Sequence, residues 1–79
     1  RGDGTMDQAY EYQFGQNLKY LRERCGLTQE QAAAQLQIRG CGVTRSALAK
    51  IEVGQRHVYP DEIKCFAEIY KVPFELIFP

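Results

Sequence analysis

"VTRSALAKIEVG", residues 43–54, decides how the rest of the chain is read. Thr44 suits the cap of a helix, and Gly54 suits its left-handed end. Between them Leu48 and Ile51 sit three apart and share one face. Arg45, Ser46, Ala49 and Lys50 lie elsewhere on the rod and are small or hydrogen-bonding, with no acid among them. A short helix with a flat, basic outer face has a task beyond packing.

Upstream, "RGCG" at 39–42 breaks the pattern with two glycines and makes a loop. Before it, "QEQAAAQLQI" supplies strong helix formers, and Thr28 with Gln31 fits a capping box. Ala32, Ala33, Leu36 and Ile38 are expected to face inward, and the alanines let a neighbouring helix approach closely. Earlier still, Tyr10, Phe14, Leu18, Leu21 and Cys25 recur at steps of three or four, one stripe of an amphipathic helix that Gly26 ends.

Downstream, Pro60 suits a first helical position, with Asp61 and Glu62 in the favourable first turn. Ile63, Phe66, Ala67 and Tyr70 make the stripe of that helix, and Pro73 opens a last apolar turn, "PFELIF". No useful strand-like alternation appears. The expected class is all-α, a compact domain of four to five helices. "RGDGT" at 1–5 reads as an expression remnant before Met6, and residues 6–79 as a single domain.

Composition narrows the function. Hydrophobic content of 44% allows a packed core within one small domain. Apolar runs are too short to span a membrane, and no secretion signal is evident. The three cysteines, Cys25, Cys41 and Cys65, are odd in number and widely spaced, which suits reduced thiols in a cytoplasm. With no CxxC pair and His57 as the one histidine, no metal site and no cofactor are expected. No catalytic constellation is visible, so an enzyme is not expected.

The net charge of zero hides a pattern. Residues 14–58 hold seven bases and three acids, whereas each end of the chain carries a net −2. A basic centre between acidic ends is the footprint of a nucleic-acid surface.

The stretch "FGQNLKYLRERCGLTQEQAAAQL", a gap, and then "VTRSALAKIEVGQRHVYPDEIKCFAEIYKVPFELI" resembles the phage repressor/Cro-like (Xre) helix-turn-helix family across roughly residues 14–77. The combination carries it: LR, a Gly-Leu-Thr-Gln opening, alanine at 33, and an Ile-Glu-x-Gly ending. The resemblance implies a lambda-repressor-like DNA-binding domain with its helix-turn-helix core at 28–53 and the third helix, 44–53, in the major groove. The family's turn is about four residues, and "RGCGV" is expected to lengthen it by roughly five. Cys41, at the tip of that turn, is expected to be a loop residue rather than a redox sensor.

A helix seated in a groove about 12 Å wide must keep bulky apolar groups and acids off its outer face. Arg45 can fork onto guanine, Ser46 can bond either base edge, Ala49 can touch a thymine methyl, and Lys50 reaches a base or a phosphate. The resemblance likewise puts Thr44, Arg45, Ser46 and Lys50 at DNA-contacting positions. It puts Gln29 at a phosphate-binding position, where the N–H groups of the helix start at Thr28 assist. Arg56, Arg39 and His57 are candidate backbone clamps. Arg22 and Glu52 correspond to a family ion pair that orients the third helix.

So small a reader makes few contacts, so a homodimer on a palindromic operator is expected, its half-sites about 34 Å apart. Phe74, Leu76, Ile77 and Phe78 are candidate dimer contacts. The leading expectation is a sequence-specific, cytoplasmic transcriptional regulator of a bacterium or its phage, nucleoid-associated when bound to double-stranded DNA and without a membrane partner. The alternative is a protein-interaction module on the same scaffold, such as an antitoxin or anti-repressor partner.

Overall fold

Helix boundaries follow the caps. The structure, a computed structural model, describes residues 8–79, so the readings of "RGDGT" and Met6 lie outside the described residues. It contains α1 (Gln8–Arg24), α2 (Gln29–Ile38), α3 (Arg45–Glu52), α4 (Pro60–Tyr70) and a 3-10 turn at Phe74–Ile77. At the start of α2, the Thr28 hydroxyl accepts from the Gln31 N–H at 3.0 Å, and the Gln31 amide oxygen accepts from the Thr28 N–H at 2.9 Å. Thr44 caps α3 by accepting from the Ala47 N–H at 3.1 Å. Pro60 opens α4, whose first turn is closed by Glu62 accepting the Tyr59 N–H at 3.0 Å. Each of these bonds spans three residues, so local sequence is enough to produce it.

The core gathers Phe14, Leu18 and Leu21 of α1, Ala32 and Leu36 of α2, Leu48 and Ile51 of α3, and Ile63, Phe66 and Ile69 of α4. α3 lies against both α1 and α2, and α4 packs on α1, α2 and the C-terminal turn. Two glycines let α1 cross the end of α3. A Cβ on Gly15 would collide with the Ile51 carbonyl and lie 2.8 Å from the Glu52 carbonyl carbon. Gly54, at φ +78°, ends α3 with its Cα against α1, where a Cβ would come within 2.8 Å of the Tyr12 backbone.

Several inward assignments are corrected. Ile38 is 81% exposed. Two residues past Leu36 is about 200° around a helix, on the far side from the core. Tyr10 and Cys25 are exposed as well, because α1 overshoots the core at its start and Cys25 follows its last residue, Arg24. The Tyr10 ring stands edge-on to Phe14, and the Cys25 thiol donates to the Tyr70 carbonyl at 3.4 Å.

The turn between α2 and α3 runs from Arg39 to Thr44, a smaller lengthening than expected. Cys41 is no exposed tip. Its N–H bonds the Leu36 carbonyl at 2.9 Å, folding the chain back over the end of α2 and burying the thiol. At the C-terminus, Ile77 is fully buried and so is no dimer contact, while Leu76, Phe74 and Phe78 remain exposed. Asn17 selects this register by donating to the carbonyls of Leu76 and Ile77 at 2.9 and 2.6 Å.

Candidate nucleic-acid interface

Because Leu48 and Ile51 are buried against α1 and α2, the helical period turns the rest of α3 outward. Thr44, Arg45, Ser46 and Lys50 are exposed, and Ala49 is half-buried between them. Arg45 and Ala49 stand one turn apart, as do Ser46 and Lys50, giving two parallel rows. Among the described residues, neither Arg45 nor Lys50 has an ion-pair or hydrogen-bond partner. Thr44 uses its oxygen on the cap, which leaves its O–H to donate.

The far end of α3 is fixed by a buried carboxylate. Glu52 is 2% exposed, and Arg22 grips it with two bonds, Nε to Oε2 at 2.7 Å and Nη2 to Oε1 at 3.0 Å. The third guanidinium arm donates to the Leu27 carbonyl at 2.9 Å. These hydrogen bonds to Glu52 hold the Arg22 pKa above its ordinary value, against the opposing effect of burial. Gln29 adds a bond to Glu52 Oε1 at 2.9 Å, so its half-buried amide faces inward and one N–H remains for a phosphate. Gln16 donates to the Glu52 carbonyl at 2.7 Å and so caps the last turn of α3 from α1. α3 is thereby tied to α1 and α2 through one residue.

The three candidate clamps are all partnered by acids. Arg56 forks onto Glu62 of α4 with two bonds of 2.9 Å and also donates to the His57 carbonyl. That fork, more than any other influence, raises the Arg56 pKa and lowers that of Glu62. The Arg56 guanidinium thus staples the α3–α4 connection to the start of α4. His57 Nδ1 lies 2.9 Å from Glu11 on α1, and its ring stands edge-on to Tyr59. Arg39 reaches Glu68 at 3.6 Å in an exposed pair, the weakest of the three and the easiest to exchange for a phosphate.

Sequence reasoning missed Gly15, Gln16 and Glu11. Gly15 left a signal, a glycine in the middle of a helix, which costs about 1 kcal/mol and calls for a packing reason. Gln16 and Glu11 left none, because their partners lie far along the chain.

A family described as "Helix-turn-helix domain" matches residues 13–77. Among solved structures, the crystal structure of the DNA-binding domain of BldD superposes with a TM-score of 0.78 at 25% identity, covering 94% of this chain and 100% of that one. The S. venezulae BldD DNA-binding domain superposes at 0.72 with 24% identity, covering 90% and 99%. No curated protein gives a significant match.

Proposed function

The chain belongs to the helix-turn-helix domain family, and on that footing we propose that it binds double-stranded DNA as a sequence-specific transcriptional regulator, with α3 in the major groove. The observation that carries this reading is the outer face of α3. Its two cations, Arg45 and Lys50, are without partners among the described residues, whereas Arg39, Arg56 and His57 each face an acid within the fold. An unpaired cation beside small polar side chains is what phosphates and base edges attract, and the acids are kept to other surfaces. Arg45 and Ser46 read bases, Ala49 meets a thymine methyl, and Thr44, Thr28, Gln29 and Lys50 supply backbone or base contacts. A homodimer on a palindromic operator completes the proposal. Phe74, Leu76 and Phe78 offer exposed apolar surface at the C-terminal turn to join two copies.

Selection of bound duplexes from a random pool, followed by titration at rising salt, tests this. The expected result is a two-fold-symmetric site whose affinity falls steeply between about 50 and 200 mM salt. Affinity that ignores salt, or a pool that yields no preferred site, would overturn it and favour a protein partner instead.

A further inference from the structure

The stretch leading into α3 alternates in exposure. Cys41 and Val43 are buried, while Gly42 and Thr44 are exposed, so Gly42 faces the same side as the cap of α3. Both inward side chains belong to the core cluster, which fixes the stretch in place. The other glycines among the described residues have reasons inside the fold. Gly26, Gly40 and Gly54 hold left-handed φ angles, and Gly15 packs against the backbone of α3. Gly42 has neither reason: its φ is not positive, and a Cβ there would meet nothing within 4 Å. Its N–H makes no hydrogen bond among the described residues.

A glycine loses more freedom on folding than any other residue. One that neither bends the chain nor relieves a clash within it fits the remaining use of that residue, close approach of backbone to a ligand. Gly42 stands two residues before Thr44 and three before Arg45, beside the face assigned above to the major groove. Phosphodiester strands form the rims of that groove. A side chain at position 42 would project on the same side as Thr44 and hold the start of α3 away from them.

We propose that a phosphodiester of the DNA backbone seats against Gly42, accepting from its N–H, and that the bare backbone here sets how far α3 enters the groove. This rests on the DNA-binding reading and adds a contact to it. The contact itself carries no base information, since phosphates are alike along the duplex. It brings Arg45 and Ser46 within reach of the bases.

The test compares wild type with Gly42→Ala and Gly42→Val, by thermal unfolding and by titration with two duplexes. One duplex is the site recovered from the random pool, and the other has random sequence. Gly42→Ala is expected to melt at the wild-type temperature or slightly above it, because its methyl group enters open space and alanine restricts the unfolded chain. Its affinity should nevertheless fall about tenfold, and on both duplexes alike, because the obstructed contact is to backbone. Gly42→Val should lose more. In the wild-type complex the Gly42 amide proton should exchange with solvent more slowly than in the free protein. Unchanged affinity in Gly42→Ala, a loss confined to the selected site, or a lowered melting temperature would each overturn the contact and leave the DNA-binding reading standing. Wild-type protein that binds neither duplex would overturn both.

Discussion

Arg45 and Lys50 differ in what they would reach, and their replacements should differ in kind. Arg45→Ala is expected to relax preference at one base position, with a discrimination loss of about 1–3 kcal/mol. Lys50→Ala, if it holds phosphate, should weaken all sites similarly and reduce the salt slope by about 1. Affinities for single-base operator variants at several salt concentrations separate the two; identical, uniform losses would leave Arg45 without its reading role. Arg22 sits on the other side of the same helix. Arg22→Leu strands Glu52 as a buried, half-partnered carboxylate, and the expected destabilisation is about 3–5 kcal/mol in urea unfolding. The capping roles of Thr28 and Thr44 were readable because each acts on an N–H three residues away. The staple between Arg56 and Glu62 was not, since a loop had to bring them together.

At the scale of elements, the aim of α3 depends on how α1 crosses its end. Gly15 is the point of contact, and even a methyl group there meets backbone, which cannot rotate away. Gly15→Ala should therefore destabilise by about 1–3 kcal/mol despite the better helix propensity of alanine. It should also lower DNA affinity in the protein that remains folded, because α1 would push the Glu52 end of α3 aside. Unchanged stability in thermal unfolding would mean that the two helices separate at little cost. The helices themselves were legible from spacing and caps, but this crossing was not. A glycine within a stripe marks a close approach without naming its partner.

Over the whole molecule, charges couple the elements and make stability depend on pH. Arg56 holds the Glu62 carboxyl below its ordinary 4.5. A depressed carboxylate stabilises the fold fully above its unfolded value, and that contribution is lost as pH falls through the lower folded value. Unfolding free energy should thus decline as pH drops below about 4.5. In Glu62→Gln the part of this slope due to the pair should vanish, which denaturant titrations between neutral and acid pH would measure. A slope identical to wild type would mean that Arg56 and Glu62 contribute no net attraction. The same network engages central side chains within the fold: acids on α1 and α4 fold back onto His57, Arg56 and Arg39.

What the chain settled on its own were features of short range. Hydrophobic spacing, hydroxyl caps, and glycines at helix ends placed the four helices and turned Thr44, Arg45, Ser46 and Lys50 outward, because each acts within a turn or two of backbone. Three outcomes waited for the tertiary structure: which cations stay free, which of Leu76 and Ile77 goes inward, and whether Cys41 meets solvent or the core. The first two depend on groups tens of residues apart that only packing brings within bonding distance, and the third on the cluster that closes over the turn.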